Sequence, residues 1–192
     1  MTTLILASTS PFRKAILEKL ALPFSTQSPD VDETPLENEL PEQLVERLSI
    51  LKAKAVADNI SEGLVIGSDQ VAVIDGTILG KPGNHDKAME QLKQASGKTV
   101  TFLTGLCLYN AARDNYQVDV VPFKVVFREL SETQIDTYLK KEQPYNCAGS
   151  FKSEALGITL FEKLVGDDPN TLIGLPLIRL VKMLEDEGVT VI

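Results

Sequence analysis

Three observations predict a mixed α/β fold, a central sheet with helices on both sides. Apolar β-rich runs alternate with stripes at helical spacing, two long β-rich runs stand back to back, and turn signals separate them. The first element is the run Leu4-Ile5-Leu6-Ala7, which reads as a strand and gives way to Ser8-Thr9-Ser10-Pro11-Phe12-Arg13. Ser10 suits a helix N-cap and Pro11 the first helical position, where a missing N–H does no harm; Ile16, Leu17 and Leu20 supply the buried face. Residues 41–60 carry Leu44, Leu48, Leu51 and Ala55 at helical spacing, with Lys52 beside the stripe. Residues 64–74 are β-rich and end at Asp75-Gly76, a hairpin signal, before Thr77-Ile78-Leu79. Asn84 caps a helix to about Ser96, and residues 99–109 and 116–130 form long antiparallel strands joined near Arg113-Asp114-Asn115. Ser131 and Gln134 make a capping box for a helix to about Lys141. A loop-rich stretch at 147–154 and a short apolar segment at 157–164 precede a last helix faced by Leu177, Ile178, Val181 and Leu184.

The chain has 192 residues, 43% of them hydrophobic, which suits one domain over 1–192, divisible into two lobes. Twenty-seven acidic against nineteen basic residues give a net charge of -8, and no basic cluster offsets it, so nucleic acid is not an expected partner. A small anionic substrate is compatible with scattered cations that converge in a cleft. Cys107 and Cys147 lack metal-ligand spacing and require no disulfide, so both are expected as reduced thiols in the cytoplasm. The first apolar run is too short for a signal-peptide core and no stretch reaches transmembrane length, so no membrane association is expected. His85, the only histidine, is expected at the surface.

The chemistry-bearing residues point to phosphate. At the start of the first helix, free backbone N–H groups, the Ser8 and Ser10 hydroxyls and the Arg13 fork suit an anion, although Ser10-Pro11 could equally serve only as a cap. Asp69 lies between Leu64-Val65-Ile66 and Val71-Ala72-Val73, and a carboxylate there needs a metal ion, a lysine or a water; the other reading is a turn at Gly67-Ser68 that donates to it. Glu33, in an extended polar stretch, is a candidate second carboxylate or ordinary loop surface. Lys81, between Gly80 and Pro82, is held stiffly and suits a phosphate oxygen; with Arg13, Lys52 and Lys54 it can neutralise a triphosphate. Neither G-x-x-x-x-G-K-[ST] nor G-x-G-x-x-G occurs, so the cradle is of another kind.

Ala7-Ser8-Thr9-Ser10-Pro11-Phe12-Arg13, Asp32-Glu33-Thr34, Lys52-Ala53-Lys54-Ala55, Gly67-Ser68-Asp69-Gln70, Gly80-Lys81-Pro82 and Gly149-Ser150-Phe151-Lys152-Ser153-Glu154 together resemble the Maf family of nucleoside triphosphate pyrophosphatases, in the family's order and over nearly the whole chain. The resemblance implies a Maf/inosine-triphosphatase-like sheet with a cleft between two lobes, and it is compatible with a homodimer. Phe12, Gln70 and Glu154 resemble the YceF-type branch, which hydrolyses 7-methyl-GTP; the branch acting on dTTP and UTP carries arginine, threonine and glutamine there. Phe12 departs from the tryptophan usual in the YceF type, and a smaller ring stacks more weakly. Ionised Glu154 can accept from the adjacent N1–H and N2–H donors of guanine, which thymine and uracil do not offer. The cationic ring of 7-methylguanine gains about 1 kcal/mol on an aromatic face such as Phe12. Gln70 then reads a carbonyl or ring edge. Taken singly, Phe12 reads as a core anchor and Glu154 as a loop carboxylate.

The resemblance implies attack of water on the α-phosphorus, with release of a nucleoside monophosphate and pyrophosphate. Asp69 is expected as general base, Glu33 and Asp69 as ligands of magnesium or manganese, and Ser8, Ser10, Arg13, Lys52 and Lys81 as phosphate-binding groups. Two rivals stay open: a dTTP/UTP-type pyrophosphatase of the same family, and a nucleotide-binding regulator of cell division that turns nothing over.

Overall fold

The computed structural model describes residues 3–192. Its strands are β1 (Leu4–Ala7), β2 (Ser25–Gln27), β3 (Leu64–Ile74), β4 (Thr77–Leu79), β5 (Thr99–Asn110), β6 (Asn115–Phe127) and β7 (Phe161–Val165). They form a seven-stranded sheet in the order β2-β1-β3-β5-β6-β7, with β4 on β3. The helices are α1 (Pro11–Leu17), α2 (Pro41–Ala57), α3 (His85–Ala95), α4 (Glu132–Glu142), α5 (Pro169–Ile173) and α6 (Leu177–Asp186). Two compact units divide the chain: one runs up to Gln70 and adds Thr104–Val121 and Asp168–Ile192, and the other comprises Val71–Leu103 and Pro122–Asp167.

In the first unit β1 runs parallel to both neighbours, Ile5 standing opposite Ser25 and Val65. The period of two along each strand sorts the core into two faces. Leu4, Leu6, Leu64, Ile66, Leu106 and Leu108 pack with Ile16 and Leu17 of α1 and with Leu180, Met183 and Leu184 of α6. Ile5, Ala7, Val65, Cys107 and Tyr109 pack with Ala53, Val56 and Ala57 of α2. Both faces of the sheet are covered, which is why β1 and β3 read as continuous apolar runs rather than alternating ones. Each fully buried leucine or isoleucine contributes about 1.5–3 kcal/mol to that packing.

In the second unit Asp75 (φ 48°) and Gly76 (φ 76°) turn β3 into β4, a pair of left-handed residues that suits the twist of a tight hairpin. Asn84 Oδ1 accepts from Lys87 N at 2.9 Å to start α3, and the Ser131–Gln134 capping box starts α4. Antiparallel β6 and β7 pair Val125 with Leu164. Phe102, Phe127, Phe151 and Phe161 meet edge to face, with ring centroids 5.0 to 5.5 Å apart in the four contacts among them.

Three expectations are corrected. The buried face of α2 consists of Leu44, Leu48, Lys52 and Val56 with Val45, Ser49, Ala53 and Ala57, while Leu51 is 37% exposed. Small Ser49 and Ala53 let the helix lie close to the sheet, which rotates the stripe and takes Lys52 inside. Ile178 is 64% exposed because the core side of α6 is set by Leu177, Leu180 and Leu184; its backbone N–H instead donates to Asp168 Oδ2 at 2.9 Å. His85 is half-buried rather than a free surface residue, with Nδ1 3.1 Å from the Tyr145 hydroxyl and Nε2 3.0 Å from Asp136 Oδ1.

A buried carboxylate and the candidate active site

β3 continues unbroken through Gly67 and Ser68, so no turn there serves Asp69. Asp69 is 8% exposed, and its partner is a cation: Lys52 Nζ lies 2.7 Å from Asp69 Oδ1 and 3.2 Å from Glu33 Oε1. The approach of α2 makes this reach possible. A Cβ on Gly67 would fall 2.1 Å from the Ser49 carbonyl oxygen, and one on Gly105 2.1 Å from that of Val45, so both positions must be glycine for the helix to lie this close. Lys52 stands one turn beyond Ser49 on the same side of α2. Burial pushes the Asp69 carboxyl above its ordinary value; Lys52 and then Arg13 pull it back, and Glu33 adds to the rise. A carboxylate raised in this way is a better proton acceptor near neutrality than an exposed one.

Arg13 is fixed from behind. Its Nε donates to the Gly174 carbonyl at 2.8 Å, and the Ser68 hydroxyl donates to the same oxygen at 3.2 Å. Desolvation lowers the pKa of the guanidinium, while Asp69 and Glu33 raise it, so the two carboxylates lie within its field. Ser8 Oγ accepts from Ser10 N at 3.1 Å and Ser10 Oγ from Arg13 N at 3.3 Å, which leaves each O–H proton to be donated elsewhere. The helix itself is short, seven residues, so Arg13 outweighs the helix dipole as the source of positive potential.

Glu33 is carried by a loop that α2 holds. Asp32 Oδ1 accepts from Thr34 N at 2.9 Å, and Arg47 donates to the Thr34 carbonyl at 3.2 Å and to both Glu39 oxygens at 2.5 and 2.8 Å. The Arg47 guanidinium brings the Glu39 carboxyl down to about 2. Sequence reasoning missed Arg47 and Gly174, for which no local signal exists. It read Gly67 as part of a motif and of a turn, although glycine inside an apolar strand is itself a sign of close backbone approach.

Phe12 is 46% exposed, so it is no core anchor and its ring is free to stack. Gln70 is committed differently from the expectation. Its Nε2 donates to Thr104 Oγ1 at 3.0 Å, to the Thr171 carbonyl at 2.9 Å and to the Leu172 carbonyl at 3.2 Å. With the amide nitrogen used in this way, only Oε1 is left to meet a ligand, so Gln70 can accept from a base N–H and cannot donate to a base carbonyl.

Lys81 and Glu154 belong to the second unit, and both are exposed. There Cys147, half-buried, has a thiol raised by burial, with Lys152, Glu154, Lys81 and Glu142 all acting on it. Lys54 lies apart from this chemistry, paired with Asp58 at 2.8 Å and set 5.6 Å over the Tyr109 ring.

A family model described as Maf-like protein matches residues 3–187. This chain belongs to the Maf-like protein family. Among its relatives, a protein named 7-methyl-GTP pyrophosphatase from Colwellia psychrerythraea strain 34H is 60% identical over 192 residues, covering 100% of this chain and 96% of that protein. Proteins of the same name from Pseudoalteromonas translucida strain TAC 125 and Nitrosococcus oceani are 58% and 56% identical, over 98% and 99% of this chain and 94% and 96% of theirs. The Ham1 protein of Staphylococcus aureus overlaps the Maf-like chain partially, with a TM-score of 0.47 and 14% identity over 66% of this chain and 72% of that one. No helix among the described residues is long and apolar enough to cross a membrane, and Cys107 and Cys147 are free thiols.

Proposed function

We propose that this Maf-like chain hydrolyses 7-methyl-GTP to 7-methyl-GMP and pyrophosphate in the cytoplasm. The observation that carries the reaction is the buried Asp69 carboxylate held on Lys52 within the field of Arg13. A binding module gains nothing from a raised carboxylate inside a strand, whereas a hydrolase needs a base. Asp69 takes a proton from water as the water oxygen bonds to the α-phosphorus. The bond from that phosphorus to the bridging oxygen breaks, and pyrophosphate leaves with the electron pair. Ser8, Ser10 and Arg13 donate to phosphate oxygens, and Lys52 and Lys81 add charge that offsets the negative charge developing on the leaving group.

The substrate assignment follows the names of the relatives and the chemistry of three side chains. Exposed Phe12 offers a face to a cationic ring, Glu154 accepts from the N1–H and N2–H edge of guanine, and Gln70 Oε1 accepts where its amide nitrogen cannot turn. Glu33 and Asp69 also suit a hard divalent cation. Among the described residues no cluster of three or more metal-binding side chains exists, and two carboxylates fit magnesium or manganese shared with substrate phosphates rather than a protein-only cage. Such an ion supplies charge neutralisation on the phosphate oxygens when bound.

Pyrophosphate release from 7-methyl-GTP, GTP, dTTP, UTP and CTP, with magnesium and then with chelator, tests the proposal. Metal-dependent preference for 7-methyl-GTP is expected. Turnover led by dTTP or UTP keeps the enzyme and discards the roles of Phe12 and Glu154. Turnover that persists in chelator removes the metal, and no turnover at all leaves a nucleotide-binding regulator.

A further inference from the structure

Ser150 has φ 66° directly after Gly149 at φ 77°, a left-handed pair in which the serine is uncommon and must be held. Its N–H donates to the Cys147 carbonyl at 3.1 Å, and its buried hydroxyl donates to Gln91 Oε1 at 2.5 Å. Gln91, on α3, donates from Nε2 to the Gly80 carbonyl at 3.0 Å. A carbonyl can only accept, so this contact fixes which end of the amide faces which loop. Gly80 immediately precedes Lys81, and Ser150 opens the segment that ends in Glu154. From α4, Tyr138 Oη accepts from Lys152 N at 3.1 Å and Glu142 Oε2 from Leu156 N at 3.1 Å, so the same segment is tied beyond Ser150 as well. Gly83 N also donates to the Tyr145 carbonyl at 2.9 Å, a second tie between the two loops.

We propose that Gln91 is a positioning residue that sets the Lys81 loop and the Glu154 loop in register with each other, through opposite ends of one amide. This rests on the assignment of Lys81 and Glu154 to the substrate made above. Neither segment belongs to an α-helix or a strand, only Ala148–Ser150 forming a short 3-10 turn, and a single side chain that donates to one segment and accepts from the other does so at fixed spacing. The two arms are separable. Gln91→Glu keeps the acceptor for Ser150 and loses the donor for Gly80; Ser150→Gly loses the hydroxyl while suiting the left-handed backbone.

The experiment measures kcat and KM for 7-methyl-GTP and CTP in the wild type, Gln91→Ala, Gln91→Glu, Ser150→Gly and the Gln91→Ala/Ser150→Gly pair, with hydrogen exchange on each. Gln91→Ala is expected to raise KM and to cut the preference for 7-methyl-GTP about five- to tenfold with kcat nearly kept, and Ser150→Gly to match that loss of preference. The double variant is expected to show no further loss of preference. Gln91→Glu is expected to raise KM for both substrates alike. Exchange is expected to rise at 80–83 and 148–154 in Gln91→Ala, with α3 unchanged. Wild-type preference that survives Gln91→Ala, unchanged exchange at the two loops, or additive losses in the double variant would each overturn the positioning role alone. A wild type with no preference for 7-methyl-GTP overturns the substrate assignment and the positioning role with it.

Discussion

The Asp69 region and the Ser150–Glu154 segment solve the same problem, holding a carboxylate in place, by different physics. Asp69 is set by regular structure: a buried strand, a helix brought close by Gly67 and Gly105, and a lysine that cannot avoid it. Glu154 is exposed at the end of an irregular turn, and its surroundings are held by separate bonds from Gln91, Tyr138 and Glu142. The first arrangement is tolerant of surface change and intolerant of any change in packing. The second permits small adjustments of geometry without disturbing a core. A reacting group set in the sheet and a recognition group set on a loop let the chemistry stay fixed while recognition is adjusted.

The comparison predicts its own largest break. Asp69→Asn keeps the shape of the strand and removes the base, so kcat is expected to fall about 10²- to 10⁴-fold with the circular dichroism spectrum unchanged. Because the Asp69 carboxyl is raised by burial, the wild-type rate is expected to increase with pH through a value above the ordinary carboxylate range; an acid limb at the usual aspartate value would count against it. Glu154→Gln exchanges an acceptor for a group that also donates. Preference for 7-methyl-GTP over CTP is expected to drop about ten- to a hundredfold, the size of a charged hydrogen bond, with kcat on the best substrate far less affected. Equal losses of kcat on every nucleotide would place Glu154 in the reaction instead.

Two smaller effects sharpen the contrast between packing and loop. Gly67→Ala drives a methyl against the Ser49 carbonyl and is expected to lower stability by about 1–3 kcal/mol in denaturant titration, and to weaken turnover as Lys52 is carried away from Asp69. Glu39 is held at about 2 by Arg47, below its ordinary 4.5. A lowered carboxyl contributes stability above the ordinary value, and that contribution is lost as pH falls through the range between the two. Glu39→Gln is therefore expected to melt below the wild type at pH 6, with the gap closing toward pH 2; a gap independent of pH would exclude the ion pair as its cause.

Much of the fold was legible in the chain because its signals are local. Asn84, Ser131 with Gln134, and Asp75-Gly76 act within a few residues, and the structure has caps and a hairpin at those places. The α2 stripe was misread since Leu51 and Ala55 have the right spacing, and only the glycines on β3 and β5 decide which side of the helix can lie flat. At the site, the chemical types of Asp69, Glu33, Lys52 and Arg13 were readable, but their pairing was not.

What the sequence determined by itself is most of the longer elements, the family and the kinds of groups available for phosphate chemistry, because these depend on residue type and short-range order; the short β2 and α5 were not read there. Only the tertiary structure decided that Lys52 bridges Asp69 and Glu33, that Gln70 ties its amide nitrogen to Thr104, Thr171 and Leu172, and that Gln91 joins Gly80 to Ser150. Those contacts join residues from 11 to 102 positions apart along the chain. Their geometry follows from how closely helix and strand backbones approach, a property of the packed whole that no single segment carries.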